Sequence, residues 1–134
     1  MQKDCIFCNS ELEPRDNEIL SNEHCRFLQL EEAREKGSIL EGAGVIVPKH
    51  HRETAFDLTP EEWEATYTLL QQAKAHIDKL YQPDGYNIGW NCGETAGQHI
   101  MHAHLHVLPR YNDEPMAGKG IRYVFKSALN ERRK

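Results

Sequence analysis

The sequence predicts an α+β fold, an antiparallel sheet with one long helix packed on a face, and three observations predict it. A capped amphipathic stretch fills residues 60–81, β-branched or alternating runs lie on either side of it, and the connections between neighbouring runs are of hairpin length. A chain of 134 residues is the size of one domain spanning 1–134, with 112–134 read as a C-terminal extension. Folding at this length removes roughly two-thirds of the unfolded surface from water, enough for one layered core.

In chain order, residues 5–23 are polar and broken by Pro14, so they read as loop. Residues 26–30 read as a short strand, and the charged stretch 31–37 as a connection or one helical turn. Residues 38–48 carry Ile39, Val45, Ile46 and Val47 and read as a strand kinked at Gly42 and Gly44 and stopped by Pro48. The helix over 60–81 is announced by Thr59 as N-cap, Pro60 at the first helical position and Glu62 closing a capping box. Trp63, Tyr67, Leu70, Ile77 and Leu80 recur at helical spacing and predict its apolar stripe. After an Asp84-Gly85 turn, strands are predicted over 86–90 and 100–108, joined by the loop 91–97. A further strand is predicted over 121–125, and the terminal Lys and Arg are expected to fray.

Composition narrows the classes of function. Sixteen Lys and Arg against 21 Asp and Glu leave a formal charge of −5, which opposes a broad nucleic-acid-binding face. A small anionic ligand needs only local donors, and Lys49-His50-His51-Arg52 together with Arg110, Lys119 and Arg122 are candidates. No basic n-region with an apolar h-region opens the chain, and no apolar run reaches ~18 residues, so a cytoplasmic protein with no membrane partner is expected. In that compartment Cys5-Ile6-Phe7-Cys8 reads as a metal or redox pair, not as part of a disulfide framework.

Four of eight histidines fall between His99 and His106. In an extended strand His102, His104 and His106 would share one face, ~7 Å apart, with Ala103, Leu105 and Val107 on the other. Pro109 and the strict alternation favour strand over helix. One satisfied core histidine is ordinary; three at period two point to chemistry or metal binding. A neutral imidazole whose far nitrogen donates to a carbonyl keeps a lone pair able to attack phosphorus. A neighbouring imidazole can donate to a phosphate oxygen as charge develops. Upstream, Gly93-Glu94-Thr95-Ala96-Gly97-Gln98 is a small-residue loop that could let backbone N–H groups approach an anion.

The segment Asn91-Cys92-Gly93-Glu94-Thr95-Ala96-Gly97-Gln98-His99-Ile100-Met101-His102-Ala103-His104-Leu105-His106-Val107-Leu108-Pro109-Arg110 resembles the signature of the histidine-triad (HIT) superfamily. Val47-Pro48-Lys49-His50-His51 resembles its Pro-Lys-x-His landmark, and Cys5-Ile6-Phe7-Cys8 the start of many bacterial members. Tyr86 to Asn91 and Gly118 to Arg122 resemble the bacterial branch described as diadenosine tetraphosphate hydrolases. The resemblance implies a homodimer that binds a purine nucleotide and cleaves at the α-phosphate of a dinucleoside polyphosphate or a nucleoside phosphoramidate. It implies His104 as nucleophile, through a nucleotidyl-histidine, His106 on a phosphate oxygen, and Asn91 and Gln98 at phosphate-contacting positions. It also implies a structural zinc held by Cys5, Cys8, His51 and His102. Two positions depart from the pattern. His99 stands where the family usually has Ser, Thr or Glu near the phosphate, and Gln29 stands where an Asp or Asn holds the ribose hydroxyls. The alternatives are a nucleotide-binding or scaffolding protein with little catalysis, and a metal store built on the histidine run.

Overall fold

The computed structural model describes residues 4–9 and 17–132, so Pro14 and the last two residues lie outside the described part. Five strands are found there: β1 (Glu18–Ser21), β2 (Cys25–Leu28), β3 (Gly44–Pro48), β4 (Gly85–Trp90) and β5 (Leu105–Arg110). They form one sheet in the order β1-β2-β3-β5-β4, antiparallel at every pairing. The helix α1 (Pro60–Tyr81) packs on the sheet, so the α+β reading of the sequence holds.

Helix α1 starts where its cap chemistry dictates. The Glu62 N–H donates to Thr59 Oγ1 at 3.1 Å, and Glu62 Oε1 accepts from the Thr59 N–H at 2.8 Å. Pro60 fills the first position, where its missing N–H costs nothing. The buried face matches the predicted stripe only at Ile77, with Leu70 packed against its edge; the other buried positions are Glu62, Thr66, Leu69 and Ala73. Trp63 and Leu80 are each 44% exposed and Tyr67 is 64% exposed. Small Thr66 and Ala73 let the helix approach the sheet closely, which turns the aromatic side chains to its flank.

Other differences follow from hydrogen bonding that periodicity does not report. β1 is a short strand inside the stretch read as loop, paired to β2 with an irregularity between Glu18 and Leu20. β3 begins only at Gly44, because Gly42 takes φ +79° and Ile39, in a turn, is fully exposed. β5 begins at Leu105, not at residue 100, since no ladder pairing precedes Ile46↔Leu105 on β3 or Trp90↔Leu105 on β4. The strand predicted over 121–125 is instead a run of 3-10 turns, Ile121–Lys126. Residues 116–119 are held to the body by Arg110, whose guanidinium donates to the Met116 and Lys119 carbonyls and to Asn87 Oδ1.

The two faces of the sheet do different work. Cys25, Phe27, Ile46, Leu105 and Val107 meet Leu69, Ala73 and Ile77 of α1 in the main core. The alternate residues Leu28, Val45 and Val47 face the other way, onto Phe7, Cys5, Ile6 and Ile100. Gly44 allows this close stacking: a Cβ there would stand 2.5 Å from the Leu28 carbonyl oxygen and 2.6 Å from the Phe27 ring. At Gly85 a Cβ would meet nothing within 4 Å. Gly44→Ala is therefore expected to cost about 1–3 kcal/mol. Gly85→Ala should be neutral or slightly stabilising, as urea midpoints will show.

Candidate active site and metal centre

The segment entering β5 carries the histidines, and each occupies a distinct environment. His102 is fully buried. Its Nε2–H donates to the Pro48 carbonyl at 2.8 Å, which directs the Nδ1 lone pair away from the sheet end. That Nδ1 lies 3.4 Å from Cys5 Sγ, 3.5 Å from Cys8 Sγ and 3.2 Å from His51 Nδ1, while Cys8 Sγ is 3.2 Å from His51 Nδ1. Tetrahedral zinc with these ligands sets donor atoms about 3.3–3.8 Å apart. All four donors lie within 4.8 Å of one another, so the set can hold a metal ion, and its Cys2His2 chemistry fits a closed structural zinc site. Burial lowers the His102 pKa to about 4 and raises that of the Cys5 thiol, so without metal both favour their neutral forms. A neutral imidazole is the form that ligates.

His104 projects into a cleft on the sheet face opposite α1. Its Nδ1–H donates to the His102 carbonyl oxygen at 2.8 Å, which leaves Nε2 with its lone pair. Its ring lies 4.9 Å from that of His106 and 5.4 Å from that of Phe7. The expected single strand face with ~7 Å spacing is thus corrected: only His106 stands in β5, and two of the rings crowd closer than a strand repeat. Burial, with His104 beside it, lowers the His106 pKa, so this imidazole is neutral and offers one N–H.

The cleft has a volume of about 280 Å³. Leu28, Leu40, Val45 and Leu108 line it, Ile6 and Phe7 add a wall from the N-terminal segment, and His104, His106 and Gln29 are among its polar lining residues. Sequence reasoning did not find the Ile6-Phe7 wall. The only signal was that these two residues are the spacer of the Cys-x-x-Cys pair.

Other expected contacts are placed differently. Gln29 lines the cleft but is buried, and its amide nitrogen donates to the Gly42 carbonyl at 2.9 Å. Gln98 is fully buried and works as a clasp: its Oε1 accepts from the Gly93 N–H, and its Nε2 donates to the Glu53 and Ile100 carbonyls. The N–H groups of Ala96, Gly97 and Gln98 also bond within the loop, so it is a self-closed turn and not an open anion nest. Asn91 and His99 are exposed beside it. Among the candidate basic donors, Arg52 is engaged by Glu62 and Arg110 by Glu114 and backbone carbonyls, while Lys49 and His50 are exposed.

A buried imidazole joining a Cys2His2 cluster to a cleft-facing histidine, with a third imidazole edge-to-face beside it, defines a histidine-triad protein. The chain belongs to the HIT family, whose domain model matches residues 11–113. It is 28% identical over 131 residues to Protein hit of Bacillus subtilis, covering 96% of this chain and 83% of that protein. A HIT family protein of Bacillus anthracis superposes with a TM-score of 0.74 at 29% identity, over 99% of this chain and 89% of that one. A Zn-bound histidine triad family protein of Mycobacterium smegmatis superposes with a TM-score of 0.69 at 26% identity, over 86% and 81%. Part of the chain also resembles enzymes of Schizosaccharomyces pombe. It is 33% identical over 72 residues to the asymmetrical Bis(5'-nucleosyl)-tetraphosphatase, covering 54% of this chain and 40% of that one. It is 29% identical over 79 residues to Adenosine 5'-monophosphoramidase hnt1, covering 59% and 56%. Among the described residues no helix is long and apolar enough to cross a membrane.

For the metal centre, elemental analysis of the purified protein is expected to find about one zinc per chain. Cobalt substitution should give the visible bands of a tetrahedral thiolate site. Cys8→Ser should lose the metal and lower Tm by about 5 °C or more.

Proposed function

We propose that the protein is a nucleotide hydrolase or transferase in which His104 attacks the α-phosphate of a purine nucleotide. The observation that carries this reading is the His104 Nδ1–H bond to the His102 carbonyl, which fixes the tautomer with a free Nε2 on a residue lining a largely apolar cleft. A base occupies the apolar part of the cleft, and the α-phosphate comes to His104 and His106. The Nε2 lone pair forms a P–N bond as the bond from phosphorus to the leaving group breaks, its electron pair departing with that group. A polyphosphate leaves as an anion and needs no proton, whereas an amine takes one from solvent water as it departs. The His106 N–H donates to a phosphate oxygen throughout, and Asn91 and His99 are exposed where the rest of a phosphate chain would lie. Water then attacks phosphorus, the P–N electron pair returns to Nε2, and the proton the water sheds goes to solvent. Cys5, Cys8, His51 and His102 would hold a zinc ion whose part would be structural, and their grouping ties the Ile6-Phe7 segment to the carbonyl that orients His104. The partial likeness to a tetraphosphatase and a phosphoramidase supports dinucleoside polyphosphates and phosphoramidates as the substrate classes.

A homodimer belongs to the same reading. β4 is a sheet edge that carries the exposed Ile88, and the exposed Trp63 of α1 lies beside it, its ring 5.5 Å from that of Trp90. An unblunted edge flanked by aromatic side chains suits pairing with a second copy.

His104→Ala and His104→Asn are expected to lower turnover of diadenosine tetraphosphate and adenosine phosphoramidate by at least about 10³-fold. Wild-type protein quenched during turnover should carry an acid-labile nucleotidyl mass adduct. A folded His104 variant with undiminished turnover would refute the assignment. Sedimentation should give a dimer, and Ile88→Lys a monomer.

A further inference from the structure

Residues 98–104, which hold the nucleophile, lie outside the sheet ladder, since β5 starts at Leu105. Three bonds to backbone carbonyls tie that segment to residues 48–53, beside the His51–His102 side-chain contact: His102 Nε2 to the Pro48 carbonyl, Gln98 Nε2 to the Glu53 carbonyl, and the Ala103 N–H to the Arg52 carbonyl at 2.6 Å. The nucleophile therefore sits as accurately as residues 48–53 do, and past Pro48 these too have left their strand. One side-chain contact fixes their far end to a rigid element. Arg52 Nε lies 3.0 Å from Glu62 Oε1 and 3.1 Å from Oε2, and Glu62 is 1% exposed in the first turn of α1.

We infer that Glu62 is a positioning residue for His104, acting through Arg52. Its carboxylate clamps the guanidinium, which holds the Arg52 carbonyl on the Ala103 N–H. The Ala103 peptide in turn lies between His102, whose carbonyl receives the His104 Nδ1–H, and His104 itself. The helix cap alone does not account for this carboxylate. One Oε1 bond to the Thr59 N–H completes the capping box, whereas both oxygens lie within reach of Arg52 Nε. Neither Arg52 nor Glu62 lines the cleft, so the pair serves the orientation of the nucleophile and not the binding of the base. Misplacing a reacting atom by about 1 Å costs about 10²-fold in rate.

The inference rests on the proposed reaction at His104, and the test separates the two. Glu62→Gln keeps one oxygen for the Thr59 N–H but loses the charge and the second oxygen. Arg52→Met removes the same contact from its more exposed side. Both variants, first shown by circular dichroism to be folded and by elemental analysis to match wild-type zinc content, are compared with wild type on adenosine phosphoramidate. The expected result is a kcat about 10–100-fold lower with KM within about 3-fold, and partial recovery in Arg52→Lys. Histidine 15N spectra of the same proteins should show the Nδ1–H tautomer of His104 losing population in both variants. Wild-type kcat in a folded Glu62→Gln or Arg52→Met protein, a loss confined to KM, or an unchanged tautomer would overturn the inference. Absence of turnover in wild type would instead overturn the reaction, and the tautomer measurement would then decide the positioning role by itself.

Discussion

One buried imidazole makes the rest of the site possible. His102 donates from Nε2 to the Pro48 carbonyl, faces Cys5, Cys8 and His51 with Nδ1, and receives the His104 Nδ1–H on its own carbonyl. Each role constrains the others. The Pro48 bond selects the tautomer that frees Nδ1 for the cluster, and burial keeps the ring neutral. The same residue therefore offers a metal-ligating nitrogen by its side chain and an orienting group by its backbone. A Gln or Asn here would keep the backbone carbonyl but could not both donate to Pro48 and turn a nitrogen lone pair to the cluster.

The sheet gives this centre its setting through period-two alternation. In β5, Leu105, Val107 and Pro109 are buried, while His106, Leu108 and Arg110 are half-buried. One set joins the α1 core and the other looks into the cleft or toward the C-terminal extension. The stability of the helix packing and the chemistry of the cleft thus belong to opposite sides of one layer. Substitutions on the cleft side can change ligand contacts without opening the main core.

What the sequence made legible was what local pattern encodes. The Thr59-Pro60-Glu62 cap and the class of fold are found where residue types and spacing placed them, and Cys5, Cys8, His51 and His102 come together as the family resemblance implies. What it hid depends on partners distant in the chain. The start of β5 is set by where β3 and β4 stop pairing, and the face of α1 by the room that Thr66 and Ala73 leave against the sheet. Gln98 was read as facing a phosphate, but three backbone partners at residues 53, 93 and 100 hold it inside. Arg52 reads as one more surface cation until its contact with a buried Glu62 is seen. Phe7 looked like a spacer, and only the meeting of both ends of the chain makes it a wall.

That meeting sets the order in which the molecule can be built. Cys5 and His102 are 97 residues apart, and Phe7 reaches the His104 ring across a similar separation. Closing a loop of that length is entropically unfavourable until the intervening strands and helix already hold its ends together. A chain still emerging from the ribosome can form α1 and the β2–β3 hairpin early, but it has no cleft until nearly its whole length is free. Ligand binding in the cleft is then a property of the finished molecule alone, and a truncated or half-folded copy lacks the cleft altogether.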